Sequence, residues 1–365
     1  MAPIVKALEL SPDFSVVTCA TSQHRSMQDQ MVKLFQLRVD YDLEIMRANQ
    51  DLNYVTAACI KRIKPVLERE KPDMVLVQGD TTTAFVAALA AFYLHIPVGH
   101  VEAGLRTNDL FLPFPEEGNR QLLSRIASLH FAPTKVSGNN LLKENISADK
   151  INITGNTVID ALFWMRKRLD IDRVNRILDA RVVDIIARKK PYVLITGHRR
   201  ESFGEGFTSI CKAIQLLSAQ HPDCSFVYPV HLNPNVRDIV FEELGDRNNI
   251  ILCDPVDYEP FVYLLEHCKL VLTDSGGVQE EAPSLGKPVL VMREKTERPE
   301  GVDAGTAKLV GTKVDSIVTE VSRLLNDPGA YLAMANAVNP YGEGLASEKI
   351  LQAISTTIRE SVCTV

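Results

Sequence analysis

The sequence predicts an α/β fold built from two parallel-sheet domains. Short apolar segments rich in β-branched residues alternate with helical segments. This alternation occurs in two series, which a highly charged stretch at 166–190 separates. Strands separated by helices form βαβ units, and such units require a parallel sheet. The length of 365 residues also suits two domains.

The first series is assigned to a domain covering residues 1–168. Its later strands are each followed by a helical segment, as βαβ units require. Strands are predicted at 15–19, 73–77, 97–101, 129–132 and 150–154, and helices at 1–10, 28–35, 52–70, 84–93, 118–127 and 135–144.

The second series is assigned to a domain covering residues 190–345. It repeats the same alternation of buried strands and helices. Strands are predicted at 192–196, 226–230, 249–252, 270–273, 289–292 and 307–310, and helices at 206–219, 235–243, 259–267 and 314–325.

The composition excludes several classes of function. The net charge is -6 and no basic block is present, so nucleic acid is not an expected partner. No stretch approaches 18 uninterrupted apolar residues, so no membrane insertion is expected. The seven cysteines are scattered without Cys-x-x-Cys spacing. We therefore expect reduced, buried thiols and a cytoplasmic protein. The first ten residues lack the features of a signal peptide.

Polar motifs follow the predicted strands, at the edge of the sheet where α/β proteins bind ligands. Each motif also has a purely structural explanation, such as Asp80 capping the next helix or Glu116 favouring a helix start. Together they indicate acid–base chemistry on a ligand that carries a diphosphate. They contain neither metal-ligand spacing nor a nucleophile elbow. The six motifs are 79–83, 100–106, 113–120, 196–201, 228–235 and 293–300.

The stretch 273–292 indicates how a diphosphate is held. A buried strand ends at Thr273, and Gly276 and Gly277 begin a helical run. We expect these glycines to allow close approach of the backbone and unusual dihedral angles. The start of the helix presents N–H groups and a positive dipole end to an anion. Glu280 and Glu281 follow, and a carboxylate one turn into such a helix suits the two hydroxyls of a ribose. Pro283 is expected to kink or end the helix early.

These segments identify a resemblance to a known family. The chain resembles the non-hydrolysing UDP-N-acetylglucosamine 2-epimerases of the bacterial type, over essentially its whole length. The resemblance rests on long shared blocks in the same order. The blocks are 79–83, 100–106, 115–117, 153–157, 197–201, 231–234, 274–288, 296–300 and 339–342.

The resemblance implies a fold and an activity. The family has the glycosyltransferase-B architecture, in which two Rossmann-like domains face a cleft, and it usually forms homodimers. Its C-terminal helix, here at about 346–359, packs back on the first domain. Members interconvert UDP-N-acetylglucosamine (UDP-GlcNAc) and UDP-N-acetylmannosamine (UDP-ManNAc) by anti elimination of UDP to 2-acetamidoglucal and re-addition. They use no cofactor or metal, and they supply ManNAc for cell-surface polysaccharide.

The resemblance also implies roles for individual residues. Catalytic roles fall to three carboxylates and one histidine, namely Asp80, Glu102, Glu116 and His198. Substrate-binding roles fall to Phe261 at the uracil, Glu281 at the ribose, Ser275, Gly276 and Gly277 at the diphosphate, and Arg298 near the phosphates. Gln23 and His231 match positions near a second, regulatory UDP-GlcNAc site.

The chain departs from the family at its start. Family members begin with a strand and a Gly-Thr-Arg-Pro-Glu-Ala-Ile-Lys loop before the segment that opens this chain. The first strand of a Rossmann-like sheet is central, so we expect its neighbours to be unpaired here. We hypothesise that the sequence starts too late.

Three alternative functions stay open at this point. They are a glycosyltransferase of the same architecture, a hydrolysing epimerase that releases free ManNAc, and an inactive UDP-sugar-binding protein. The predicted carboxylates argue against a bare binding module.

Overall fold

The contacts of the chain divide it into two units. The computed structural model describes residues 1–363, apart from residues 24, 198, 200–203 and 246. Unit 1 is Met1–Ala161 together with Gly342–Val365, and unit 2 is Leu162–Tyr341. The predicted ranges of 1–168 and 190–345 differ from these units because residues 162–189 join unit 2. Helical side chains of that stretch, including Val174 and Val182, pack in a core cluster of unit 2.

Unit 1 contains a parallel four-stranded sheet in the order β3-β4-β5-β6 and a separate parallel pair, β1-β2. Its strands are β1 (Cys19–Ala20), β2 (Tyr41–Asp42), β3 (Val75–Gln78), β4 (Val98–Val101), β5 (Leu129–Ala132) and β6 (Ile151–Ile153). Its helices are α1 (Ala2–Leu10), α2 (Arg25–Leu34), α3 (Leu52–Glu70), α4 (Thr82–Tyr93), α5 (Glu116–Ile126) and α6 (Lys135–Lys143), with α7 (Thr157–Arg166) following β6.

The strands of unit 1 do not form one continuous Rossmann-like sheet, because β1 and β2 are separate from β3–β6. The described residues of β3 pair with β4 alone, and those of β1 pair with β2 alone. A cavity of about 930 Å³ is lined by residues of both β1 and β3 and by apolar residues of α1. The strand predicted at 15–19 is shorter and lies later in the structure, at Cys19–Ala20, and β2 was not predicted from the sequence.

The last helix, α17 (Ala346–Cys363), packs against α1. Ile350 and Ile354 share a core cluster with Ile4 and Leu8. The N-terminal end of α17 is held by buried Asp160, whose two carboxylate oxygens accept from the amides of Ala346 (3.1 Å) and Ser347 (2.7 Å). A carboxylate at this end of a helix satisfies N–H groups that have no partner within the helix.

Unit 2 contains a parallel six-stranded sheet in the order β12-β11-β10-β7-β8-β9. Its strands are β7 (Tyr192–Thr196), β8 (Ser225–Pro229), β9 (Ile250–Cys253), β10 (Leu270–Thr273), β11 (Val289–Val291) and β12 (Ala307–Leu309). Its helices are α8 (Ile171–Ile177), α9 (Ala180–Ala187), α10 (Glu205–Gln220), α11 (Pro234–Leu244), α12 (Tyr258–His267), α13 (Gly276–Ser284), α14 (Pro299–Asp303), α15 (Val314–Asn326) and α16 (Pro328–Ala335).

This strand order is that of a Rossmann fold. Counted from β7, the strands run 3-2-1-4-5-6 across the sheet, and the order reverses between β7 and β10. Alternate residues of β7 belong to cores on opposite faces, with Val193 in one cluster and Leu194 in the other. Helices cover both faces, which explains why Tyr192, Val193, Leu194 and Ile195 are all buried. Ligands of such sheets bind beyond the carboxyl ends of the strands at the reversal point.

Within the described residues, no helix is both long and apolar enough to span a membrane.

The cap on α17 gives a stability prediction. Replacing Asp160 with alanine should lower the free energy of unfolding by about 1–2 kcal/mol, because two buried amides lose a charged acceptor. Urea denaturation followed by circular dichroism measures the change. Asp184→Ala is the control, since Asp184 is an exposed carboxylate paired with Arg188, and it should cost less than about 0.5 kcal/mol. Equal effects of the two substitutions would contradict the capping role.

Candidate active site

The loops after β3 and β4 leave the sheet of unit 1 side by side. The two strands are paired neighbours, and the Gly79 amide donates to the Val101 carbonyl oxygen at 3.0 Å. Gly79 has a φ of +74°, a left-handed conformation that glycine adopts without strain. Asp80 and Glu102 directly follow these two contact points. The structure therefore brings these two predicted carboxylates to the same edge of the sheet.

Asp80 does not cap the helix that follows it. The N-cap of α4 is Thr81, whose hydroxyl oxygen accepts from the Ala84 amide at 3.2 Å. The Asp80 carboxylate instead accepts from Arg120 Nε at 2.9 Å and Nη2 at 2.7 Å. The Asn119 side chain donates to the Asp80 carbonyl oxygen at 2.8 Å. Asp80 is thus positioned by α5, and the capping explanation of its place in the sequence is wrong.

Glu102 lies in a strained backbone conformation. Its φ is +63°, which costs a residue with a Cβ about 1–2 kcal/mol. Such strain is concentrated at functional sites. Gln78 Nε2 donates to Glu102 Oε2 at 3.3 Å. Below this pair, His100 is buried and its Nε2–H donates to the Gly79 carbonyl oxygen at 2.9 Å.

Glu116 and Glu117 begin α5 but have different environments. Glu117 is fully buried, and its carboxylate accepts from the amides of Thr107 (3.0 Å) and Asn108 (3.2 Å). Burial by itself would raise the pKa of Glu117, but hydrogen bonds from Gln121, Thr107 and Arg120 outweigh it and lower the pKa.

Glu116 is half-buried. Consecutive helical residues point roughly 100° apart, so it faces another direction than Glu117. Glu117 fixes the loop before α5. Glu116 precedes Asn119 and Arg120, the partners of Asp80, by three and four positions, so it lies on the same face of α5 as they do.

The reversal point of unit 2 carries the second group of predicted residues. Thr196 at the end of β7 and Thr273 at the end of β10 are joined by a hydroxyl–hydroxyl hydrogen bond of 2.5 Å. The Arg199 amide donates to Asp274 Oδ2 at 2.8 Å. These contacts hold the two strand ends together. The predicted catalytic residue His198 falls in this segment but lies outside the described residues.

The start of α13 directly follows this edge. Ser275 is the N-cap residue, and its amide donates to the Thr273 hydroxyl at 2.9 Å. Neither Gly276 nor Gly277 has a positive φ, so the expectation of unusual backbone angles is wrong. The need for a glycine at position 276 comes instead from the lack of room for a side chain, because a Cβ there would lie 3.0 Å from Arg298 Cζ and from Glu297 Oε1. The helix ends at Ser284, one residue after Pro283.

Arg298 is anchored to α13. Its Nε bonds to Glu280 Oε1 at 2.7 Å, and its Nη1 lies 3.0 Å from Glu297 Oε1. The Thr296 hydroxyl donates to Gln279 Oε1 at 2.8 Å, which ties the same loop to the helix a second time. A guanidinium is therefore held beside the positive end of α13. That arrangement suits an anion with several oxygen atoms.

Glu281 is paired with Tyr258, which was not among the site residues predicted from the sequence. The Tyr258 hydroxyl donates to Glu281 Oε1 at 2.6 Å. Burial is the main cause that raises the pKa of Glu281 to about 7; the Tyr258 hydrogen bond opposes this shift, and neighbouring Glu280 adds to it. Tyr258 begins α12, and half-buried Phe261 follows it on the same helix. The predicted uracil and ribose contacts therefore lie on packed, adjacent elements.

The two predicted regulatory residues belong to different units. Gln23 lies in the turn before α2, and its carbonyl oxygen accepts from Gln50 Nε2 at 3.1 Å. His231 is exposed after β8, and its Nδ1 accepts from the Asn233 amide at 3.1 Å. Their roles stay predictions.

Six contributing residues were not selected from the sequence. Five of them make contacts between segments far apart in the chain, which leave no local signal, whereas Glu117 contacts a loop nine and ten residues before it. Three stood beside Glu116 in the motif 113–120, and that proximity was the available clue. The six are Gln78, Glu117, Asn119, Arg120, Tyr258 and Glu297. Among the described residues, no cluster of His, Cys, Asp and Glu has the arrangement of a metal site.

Similarity to known proteins covers nearly the whole chain. A family model described as UDP-N-acetylglucosamine 2-epimerase matches residues 6–355. The UDP-N-acetylglucosamine 2-epimerase of Yersinia pestis is 55% identical over 354 residues, which are 97% of this chain and 94% of that relative. The corresponding enzyme of Escherichia coli K12 is 55% identical over 355 residues, with the same coverage. The chain belongs to the UDP-N-acetylglucosamine 2-epimerase family.

Solved structures of the family have the same fold. The crystal structure of UDP-GlcNAc 2-epimerase from Neisseria meningitidis bound to UDP-GlcNAc has a TM-score of 0.87 and 48% identity, covering 98% of this chain and 96% of that one. A putative UDP-N-acetylglucosamine 2-epimerase from Listeria monocytogenes has a TM-score of 0.91 and 43% identity, covering 99% and 93%. The predicted family and the predicted Rossmann-like α/β fold are confirmed.

Two buried histidines, His100 and His130, predict that the folded protein loses stability in acid. Burial lowers the pKa of His100 to about 3 and that of His130 to about 4, from an ordinary value of 6.5. The unfolded chain therefore takes up these protons near pH 6.5, whereas the folded chain does so only in stronger acid. Stability is fully present above pH 6.5 and falls as the pH drops toward 4.

Denaturation with urea at pH 7.5 and pH 5 measures this loss. Replacing His130 with glutamine removes one titrating imidazole and should reduce the difference between the two conditions by roughly 2 kcal/mol. His95→Gln, at an exposed histidine, should leave the difference unchanged. An unchanged difference in the His130 variant would show that the buried imidazole does not set the acid limit.

Proposed function

We propose that this chain interconverts UDP-GlcNAc and UDP-ManNAc by inverting C2 of the sugar. In the forward direction a carboxylate takes the C2 proton, and the C1–O bond breaks with its electron pair leaving on the UDP oxygen. A C1–C2 double bond forms, which gives 2-acetamidoglucal. In the return step a proton is delivered to the opposite face of C2 while the UDP oxygen attacks C1. The two steps balance without water, oxidant or reductant.

The observation that carries this proposal is the group of carboxylates at the carboxyl edge of unit 1. Loss of UDP from C1 leaves positive charge on the ring, which nearby carboxylates stabilise. Inversion needs proton-transfer groups on both faces of C2, so one carboxylate is not enough. Asp80, Glu102 and Glu116 are assigned to these tasks. Arg120, Asn119 and Gln78 position the first two.

The nucleotide roles are assigned to unit 2. Ser275, Gly276 and Gly277 at the start of α13 and the anchored Arg298 hold the diphosphate, with His198 at the leaving group. Glu281 takes the ribose hydroxyls and Phe261 packs on the uracil. Support comes from the solved relatives, since the Neisseria meningitidis enzyme was crystallised with UDP-GlcNAc and a Staphylococcus aureus protein with UDP.

The proposal extends to the cellular setting. Burial raises the pKa of Cys59, Cys211, Cys224 and Cys268 to about 12, which keeps them as unreactive thiols. Thiols of this kind suit the cytoplasm, where the product would supply ManNAc units for cell-surface polysaccharide. Gln23 and His231 are assigned to a second UDP-GlcNAc that regulates turnover.

Incubation with UDP-GlcNAc in deuterated water tests the reaction. The expected product by NMR is UDP-ManNAc with deuterium at C2. Free sugar with UDP would instead identify a hydrolysing enzyme, and turnover only with an added acceptor would identify a transferase. Binding without turnover would identify an inactive UDP-sugar-binding protein.

Single substitutions in unit 1 test the carboxylates. Asp80→Asn, Glu102→Gln and Glu116→Gln should each lower kcat by about 10²–10⁴-fold, because each removes a group that transfers a proton or stabilises charge. UDP binding should change little, since the nucleotide groups lie in unit 2. Glu68→Gln, at an exposed helical carboxylate, is the matched control and should keep full activity. A variant with normal kcat removes its residue from the mechanism.

We also propose that the chain forms a homodimer through α4 and α5. These helices pack against each other and leave Phe92, Tyr93 and Leu122 exposed by half or more. Large exposed apolar side chains on two packed helices favour a protein interface. Leu122→Glu should shift the mass measured by light scattering from dimer to monomer. Val338→Glu, at another exposed apolar side chain, should not, and a monomeric wild-type chain would contradict the proposal.

A further inference from the structure

Glu297 lies where three arginine side chains converge. Its Oε2 is 2.5 Å from Arg293 Nη1, and its Oε1 is 3.0 Å from Arg298 Nη1 and 3.5 Å from Arg199 Nη2. The three arginines come from two separate segments, one after β7 and one after β11. An ordinary surface ion pair has one cation for each carboxylate, whereas three guanidinium groups surround this one.

The same carboxylate lies at the start of α13. A Cβ on Gly276 would be 3.0 Å from Glu297 Oε1, so this oxygen approaches the first residue of the helix. The first N–H groups of a helix have no partner within it and carry partial positive charge. Burial alone would raise the pKa of Glu297, but its hydrogen bonding and the charges of Arg298 and Arg293 lower it. Glu297 therefore holds a negative charge in an environment built for an anion.

We propose that Glu297 is a displaceable counter-ion, which neutralises the diphosphate subsite of unit 2 until a nucleotide takes its place. This inference rests on the proposed function, which puts the diphosphate at Ser275–Gly277 and Arg298. Guanidinium groups bind carboxylate and phosphate oxygens with the same paired geometry. A diphosphate brings more negative charge than one carboxylate, so it gains the arginines while Glu297 is repelled.

This competition has two consequences. The arginine side chains stay oriented before the nucleotide arrives, so less conformational entropy is lost when it binds. Displacing Glu297 costs free energy, which makes UDP binding less favourable. The nucleotide is therefore held less tightly than the arginines alone would hold it. Product release benefits from the second effect, since a tightly held nucleotide leaves slowly.

The contacts around Glu297 separate this role from a purely structural one. The loop 293–298 is also tied to α13 by the Thr296–Gln279 hydrogen bond and by the Arg298–Glu280 ion pair. Neither contact uses the Glu297 carboxylate. Removing its charge should therefore leave the loop in place, whereas a structural role would require the loop to loosen and nucleotide binding to weaken.

Replacing Glu297 with glutamine tests the proposal, because glutamine has nearly the same shape without the charge. UDP affinity measured by calorimetry at fixed ionic strength should rise at least about threefold. The KM for UDP-GlcNAc should fall by a similar factor, and kcat should not rise. Glu294→Gln is the matched control, since it removes the same charge from an exposed position of the same loop, and its UDP affinity should equal that of the wild type.

The outcomes are distinguishable. A folded Glu297→Gln chain that binds UDP no more tightly than the wild type overturns this inference and leaves the proposed function standing. A wild-type chain that does not bind UDP overturns both. Thermal unfolding of each variant reports folding. Glu297→Asp withdraws the carboxylate by one carbon and should give an intermediate affinity, so a folded Asp variant that matches the wild type would also overturn the inference.

Discussion

The N-terminal end of α13 carries partial positive charge, which favours negative charge beside it. The side chains around this helix end in unit 2 are arranged accordingly. Gly276 has no Cβ, so Arg298 and Glu297 approach the first turn of the helix within about van der Waals distance. Arg298 adds positive charge at the same place and is itself fixed by buried Glu280. The helix end and the guanidinium act together on one small region. This region therefore favours an anionic ligand.

Burial decides the protonation of the second carboxylate on α13. Glu280 has a guanidinium partner, whereas its neighbour Glu281 faces the Tyr258 hydroxyl and has a pKa raised to about 7 by burial. A neutral carboxyl group donates one hydrogen bond and accepts others, while a carboxylate only accepts. Two adjacent hydroxyl groups, as in a ribose, are satisfied by either form. Adjacent glutamates in the sequence thus have different environments, since one is paired with an arginine and the other with a tyrosine hydroxyl.

Unit 1 has the opposite electrostatic arrangement, because carboxylates rather than arginines are gathered at one edge of its sheet. Arg120 lies between Asp80 and Glu117 and contacts both, so one cation supports two anions. Buried Glu117 also fixes the loop at Thr107 and Asn108. The carboxylate that is fully buried is thus the structural one, and the half-exposed carboxylates beside it are those accessible to a substrate.

Much of this organisation follows from local sequence patterns. The strand ends, the start of α13 and the carboxylates after β3 and β4 were predicted because strand periodicity and helix termini are determined within a few residues. The errors arise where tertiary contacts decide. Thr81 rather than Asp80 caps α4, since Asp80 is drawn to Arg120 forty residues away. The charged stretch 166–190 was interpreted as containing the domain junction, and in the structure its apolar side chains, such as Val174 and Val182, pack in unit 2. Glu297 stood in a dense charge run typical of a solvated surface.

A reversible elimination puts a particular demand on the site that holds the leaving group. UDP must remain bound while the glycal exists, because it is the nucleophile of the return step, and it must still depart with the finished sugar. Positive charge alone would hold the UDP group tightly both while the glycal exists and after the sugar is finished. A carboxylate that competes for the same arginines lowers the affinity without removing the oriented donors, so the donors remain in place for the return step. The arginines after β7 and β11 attract the diphosphate, and Glu297 competes with it for them. In this proposal the same few side chains therefore set both how UDP is oriented and how tightly it is held.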